Sequence, residues 1–350
     1  MHEALIKLFN DRDAGLGGKL TAIYSGLIAA NVLAWLWALI AFHDYPVLVG
    51  TGFLAYAFGL RHAVDADHIA AIDNVTRKLM QDGKRPVAVG LFFSLGHSTV
   101  VVLASAAVAL TAGALQGRFE QFRLIGGTVG TLISAIFLFL VAAANFVILR
   151  SVYRTFRQVR RGGAYVEEDI NRLLSQRGFL GRLFKPVFRL ISRSWHMYPL
   201  GFLFGLGFDT ATEIGVLGIS AAEASKGLPI WSIMIFPALF TAGMSLVDTT
   251  DGVLMLGAYG WAFNQPIRKL YYNLTITFIS VLVAVLIGGI EALGLLADRF
   301  NLEGPFWNYV GSLNDNFGSL GYLIVAIFVA SWLISLLLYR LGRFERLERA

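Results

Sequence analysis

The chain is written in long apolar runs separated by shorter polar stretches. Eight runs stand out, at about residues 20–42, 47–72, 87–112, 125–149, 199–221, 230–258, 271–297 and 319–340. A helix of about 20 residues spans the roughly 30 Å hydrocarbon core of a bilayer, and each run reaches that length. The runs are continuous and lack the ten-residue alternation of membrane strands, so they predict helices rather than a barrel. The expected fold is all-α: an integral membrane protein of eight transmembrane helices, forming one polytopic domain over residues 1–350. The first run begins near Leu20, after the mixed charges Glu3, Lys7, Asp11, Arg12, Asp13 and Lys19. It is too long for a signal-peptide core and lacks a small-residue cleavage site, so it reads as an uncleaved span.

The polar stretches orient the spans. Taken alternately, residues 1–19, 73–86, 150–198, 259–270 and 340–350 hold 24 Lys and Arg, whereas 43–46, 113–124, 222–229 and 298–318 hold 4. By the positive-inside rule both termini are expected to face the cytoplasm, which makes the number of spans even in a multi-pass protein. Residues 150–198 form one large basic cytoplasmic loop between spans 4 and 5. Within it, Phe179 to Arg193 mixes Phe, Leu and Ile with Arg and Lys, the pattern of an amphipathic helix on an anionic leaflet. The tail from Arg343 to Arg349 reads the same way.

Composition narrows the chemistry. Hydrophobic residues make up 56% and charged residues 15% of the 350, against about a quarter charged in soluble domains. The net charge of +6 is accounted for by the cytoplasmic loops, so the expected partner is the lipid bilayer and not nucleic acid. There is no cysteine, which excludes disulfides and thiolate metal sites. A metal would be held by nitrogen and oxygen, which suits nickel, cobalt, zinc, iron or manganese better than copper(I).

The two halves echo one another. Phe58-Gly59-Leu60 recurs as Phe204-Gly205-Leu206, an offset of 146, and Phe93-Ser94-Leu95-Gly96-His97-Ser98 recurs as Phe240-Thr241-Ala242-Gly243-Met244-Ser245, an offset of 147. A shift of three spans reverses direction, so the repeat is expected to be inverted, as in secondary transporters that bind substrate between repeats. At an offset of 146, Asp67 falls on Glu213.

Ionisable residues inside the spans collect in four places. Span 2 carries Arg61, His62, Asp65, Asp67 and His68; span 3 carries His97; span 5 carries Asp209 and Glu213; span 6 carries Asp248 and Asp251. Each such group costs at least a few kcal/mol at membrane depth. Six carboxylates against one arginine make an acidic, histidine-bearing interior that suits a cation path. On a straight helix His62 and His68 would lie roughly 120° and 9 Å apart, too far to share one ion. Either the helix is irregular here or ligands converge from several helices. Arg61 and Asp65 share a face at i and i+4, which predicts an ion pair. Glu213 is an alternative partner for Arg61, Asp209 could cap a broken helix, and Asp248 and Asp251 could be hydrated at the end of span 6. His2, His43 with Asp44, and His196 fall outside the spans.

Four motifs are thus in view: Arg61-His62-Ala63-Val64-Asp65-Ala66-Asp67-His68-Ile69, Leu95-Gly96-His97-Ser98-Thr99-Val100-Val101, Leu206-Gly207-Phe208-Asp209-Thr210-Ala211-Thr212-Glu213, and Gly243-Met244-Ser245-Leu246-Val247-Asp248-Thr249-Thr250-Asp251. Together they resemble the signatures of the nickel/cobalt transporter family, with closest similarity to its bacterial high-affinity nickel permeases. The first contains that family's H-x4-D-H pattern, and the resemblance covers nearly the whole chain. It implies uptake of Ni²⁺, in some members Co²⁺, by a single-component permease with no ATPase subunit and no cofactor beyond the transported ion. It also implies that His62, Asp67 and His68 are central to metal recognition. His97 joins them as a candidate ligand, and Arg61, Asp65, Asp209, Glu213, Asp248 and Asp251 support the ion path. Efflux is the main alternative within transport. Outside it, His62-x4-Asp67 also matches the His/Asp pair of glycerolipid acyltransferases, where histidine is a general base, but no soluble-domain substrate motif accompanies it. A metal sensor would need an output domain, for which only the 150–198 loop is available.

Overall fold

Apolar runs interrupted by proline, glycine and buried charge give long helices with defined breaks. The computed structural model describes residues 11, 15–111, 128, 131–140, 142–143, 145–146, 149–150, 153–154, 157, 191–206, 211–263, 266–316, 319–327 and 330. The 158–190 portion of the large loop, the C-terminal tail, His2 and Asp209 lie outside the described residues. Helix α1 (Leu16–Ala41) is followed by α2 (Pro46–His62), α3 (Ala66–Gln81) and α4 (Val89–Thr111). A shorter apolar helix covers Thr131–Leu140. After a 3₁₀ turn at Ser194–His196 come α5 (Met197–Gly205), α6 (Ala211–Ser225), α7 (Ile230–Ile233), α8 (Ile235–Phe263), α9 (Pro266–Phe300) and α10 (Pro305–Asn314). No strand occurs among the described residues.

Among the described residues, four stretches are long and apolar enough to cross a membrane: Leu16–Ala41, Val89–Leu110, Ile230–Gly260 and Thr277–Phe300. A fifth arises if α2 and α3, bent by 50° at their break, count as one span. Apolar side chains of α1 such as Leu33 and Ile40 are exposed, as befits a peripheral helix facing acyl chains. At the centre α8 packs against α1, α2, α3, α4 and α9, and α4 packs against α5.

Glycines let backbones approach closely, as two helix crossings show. A Cβ on Gly59 would collide with the carbonyl of Phe240, and a Cβ on Gly201 with the carbonyl of Phe93. Small residues at such crossings replace the hydrophobic driving force that lipid does not supply. The first contact joins α2 to α8 and the second joins α5 to α4.

Two elements differ from the hydropathy pattern. The polar stretch after Ile72, expected as a loop over 73–86, continues α3 to Gln81 with Asp73, Asn74, Thr76 and Arg77 all buried. Two of them, Asp73 and Asn74, bond to other segments of the chain. Asp73 accepts hydrogen bonds from the hydroxyls of Tyr259 and Ser280, the latter at 2.7 Å. Arg77 Nη2 and Asn145 Nδ2 both donate to Asn74 Oδ1, at 2.9 and 2.6 Å. Helix α10, opened by Pro305 at a position where its missing N–H costs nothing, lies in a segment expected to be a loop.

The entrance to α5 is tied to the α3–α4 turn. Lys78 Nζ donates to the carbonyl of Ile191 and Lys84 Nζ to that of Ser192, each at 2.5 Å. The carboxylate of Asp11 accepts from Ser194 N at 2.8 Å.

Candidate metal site

The centre of the molecule is built on the break between α2 and α3. Helix α2 ends at His62, and Asp65 then takes an extended conformation (φ −66°, ψ 147°) before α3 starts at Ala66. The acid Asp67 sits in the first turn of α3, where the helix dipole favours negative charge. A straight helix would hold His62 and His68 apart, whereas the break and bend fold them towards each other. Their ring centroids are 4.6 Å apart.

His97, from the middle of α4, completes a triangle. Its ring centroid lies 4.7 Å from that of His62 and 4.8 Å from that of His68. One nitrogen of each ring lies within 4.8 Å of the other two. All three rings are buried, with at most 2% of their surface exposed. Phe93 meets His68 edge-on at 4.8 Å, and Phe240 covers His62 at 5.6 Å, so aromatic carbon walls the triad.

Carboxylates orient the imidazoles. His62 Nδ1 lies 2.8 Å from Asp65 Oδ2, and His68 Nδ1 lies 3.2 and 3.3 Å from the two oxygens of Asp248. An imidazole beside a carboxylate donates its N–H to it, which leaves the lone pair on the other nitrogen for a cation. In His62 that other nitrogen, Nε2, points inward, 2.9 Å from His97 Nε2. In His68 it is Nε2, a buried atom with no hydrogen-bond partner among the described residues. Glu213, in the first turn of α6, places Oε1 2.8 Å from His97 Nε2. Thr212 Oγ1 lies 3.3 Å from His62 Nδ1.

The structure therefore gathers His62, His68, His97, Asp65, Glu213 and Asp248 around one buried point. Asp67 is half-buried outside the three-histidine group, within Coulombic range of His62 and Asp248. Arg61 is exposed, and Asp65 pairs with His62 in place of the i, i+4 arginine. Asp251 lies one turn beyond Asp248 on α8 with Oδ2 buried. A further intramembrane acid was overlooked in the span 7 run: Glu291, 2% exposed, accepts from Ser134 Oγ at 2.8 and 2.9 Å. The signal was a lone acid in an otherwise apolar stretch.

Three converging imidazoles, two of them backed by carboxylates on Nδ1, enclosed by apolar helices long enough to span a bilayer, describe a membrane protein whose centre could hold a transition-metal cation. The chain belongs to the high-affinity nickel-transport protein family, whose model matches residues 48–338. It is 64% identical over 330 residues, 94% of each chain, to the high-affinity nickel transport protein of Cupriavidus necator. It is 43% identical to the high-affinity nickel-transport protein NixA of Helicobacter pylori, covering 84% of this chain and 89% of that one. It is also 43% identical to the cobalt transport protein NhlF of Rhodococcus rhodochrous, covering 83% and 82%. No solved structure matches the chain.

Proposed function

We propose that this protein is a single-component nickel uptake permease of the cytoplasmic membrane, with Co²⁺ as a second substrate and His62, His68 and His97 as the ion's binding site. The observation that carries the reading is the buried three-imidazole triangle in a chain of the nickel-transport family. The relatives' names support nickel as the main cargo, cobalt as a cargo within the same family, and transport rather than catalysis.

The chemistry follows from the donor set. A hydrated divalent ion exchanges water for imidazole nitrogens, whose Nδ1 partners Asp65 and Asp248 raise their basicity. Imidazole binds a cation only when that nitrogen is free of a proton. An inside-negative potential then favours release to the cytoplasm, by about 2.3 kcal/mol per charge per 100 mV.

The reading includes eight spans arranged as an inverted repeat with both termini cytoplasmic. The paired glycine contacts support the repeat. Gly59 against Phe240 and Gly201 against Phe93 are the same contact made twice, once in each half, with the partners exchanged. In this correspondence Phe93 and Phe240 keep the offset of 147, but Gly59 and Gly201 are 201 − 59 = 142 apart. That differs from the sequence match of 146 by about one helical turn, and it carries Asp67 onto Asp209 instead of Glu213.

Uptake of radioactive nickel at nanomolar supply, in cells lacking their own nickel carrier, tests the reading. Accumulation above the vector control, lost in His62→Ala, is expected. Accumulation below the control would show efflux, and no change with correctly inserted protein would remove the transport reading.

A further inference from the structure

The carboxylates around the triad occupy two different positions. Asp65 and Asp248 stand behind the rings, each on an Nδ1 that faces away from the centre. Glu213 stands in front. Its Oε1 is 2.8 Å from His97 Nε2 and 3.9 Å from His62 Nε2, and those two nitrogens are 2.9 Å from each other. The oxygen therefore shares the space enclosed by the nitrogens that would bind an ion, with 1% of the residue exposed.

We infer that Glu213 supplies a fourth protein donor, an anionic oxygen, to the divalent cation held by His62, His68 and His97. This rests on the proposed site and deepens it. Three neutral imidazoles leave the ion with no anion in contact, since Asp65 and Asp248 stand behind the rings, whereas one carboxylate in contact offsets half its charge where charge is most costly. A set of three nitrogens and one oxygen remains in the range that nickel and cobalt accept. The donor also changes the mechanics. His62, His68 and His97 come from α2, α3 and α4 in the first half of the chain, and Glu213 comes from α6 in the second. An ion bound by all four spans both halves, so loading and release are coupled to their relative movement.

The test uses full-length protein in lipid nanodiscs, with Ni²⁺ affinity measured by equilibrium dialysis and Co²⁺ coordination by visible absorption. Glu213→Gln keeps an oxygen to accept from His97 but removes the anionic donor. The expected result is a loss of Ni²⁺ affinity beyond the roughly 10–100-fold typical of an outer partner, with a shifted Co²⁺ spectrum. Glu213→Asp, which keeps a carboxylate, regains part of the affinity. Wild-type affinity and an unchanged Co²⁺ spectrum in Glu213→Gln would overturn the inference and leave the three-histidine site standing. If Glu213→Gln does not insert, Glu213→Asp decides: weaker binding with a shifted spectrum supports the inference, and wild-type values on both overturn it. Wild-type protein that binds neither ion would overturn the site itself.

Discussion

Helix α3 carries two buried polar clusters, and they are built on opposite plans. At its start, His68 joins His62 and His97 with inward nitrogens that no described group fills on the His68 side. Further along, the Asp73 carboxylate is taken up by the hydroxyls of Tyr259 and Ser280, and Arg77 and Asn145 both donate to Asn74. Both clusters carry the cost of burying polar groups. The second offsets part of it from within, through the hydroxyls of Tyr259 and Ser280, the Asn145 amide and the charge of Arg77 beside Asp73, and so holds helices together. The first leaves donor atoms converging on a point, which is the arrangement a cation completes. Buried charge in a membrane therefore marks a site only when its donor atoms converge on shared space.

Substitutions can break this contrast. The largest effect is expected from His68→Ala, which removes a donor from the triangle. Nickel accumulation should fall to the vector background while inserted protein persists, as read by uptake and immunoblot of the membrane fraction. Asp73→Ala should do the reverse. It leaves the Tyr259 and Ser280 hydroxyls without their acceptor, at about 1–3 kcal/mol for each orphaned group. Thermal stability in detergent should drop, with the nickel affinity of the folded fraction unchanged. If Asp73→Ala instead abolished binding while leaving the melting temperature intact, the division between the clusters would be wrong.

Asp248→Asn comes next. It keeps a partner for His68 Nδ1 but loses the charge behind the ring, and affinity should fall by roughly 10–100-fold, the usual cost of an outer partner. Acidification should have a graded effect. Protons compete with the ion for imidazole nitrogen, so nickel affinity falls as the medium becomes more acidic and recovers on return to neutral pH. The smallest effect is expected at Lys226, exposed on its pair with Glu223 at 2.7 Å. Lys226→Ala should change stability by no more than about 1 kcal/mol, because solvent screens such pairs.

Much of the candidate site is legible in the sequence. Histidines and acids inside apolar runs point to an intramembrane cation path, and the four motifs carry the family. Simple helix geometry showed that His62 and His68 could not share an ion on a straight helix. The structure uses both remedies open at that point, a break at Ala63 to Asp65 and a third ring from α4. The partner choice of Asp65 was not legible. Helical spacing favours Arg61, but the break removes that spacing and turns Asp65 to His62. Hydropathy also ended the helix of this run too early, at Ile72 instead of Gln81. Asp73, Asn74 and Arg77 lower the apolar average, yet Asp73 and Asn74 bond to residues more than 60 positions away in sequence, which no local window can see. For the proposed repeat, the Phe-Gly-Leu matches set a register about one turn away from the one implied by the glycine contacts.

The central claim is that a nickel ion sits among His62, His68 and His97. X-ray absorption at the nickel edge, on purified protein loaded with one equivalent of Ni²⁺, tests it most directly. The account predicts the multiple-scattering pattern of three imidazoles, diminished when His97 is replaced by alanine. An oxygen-only shell, or an imidazole pattern unaltered in His97→Ala, would contradict it.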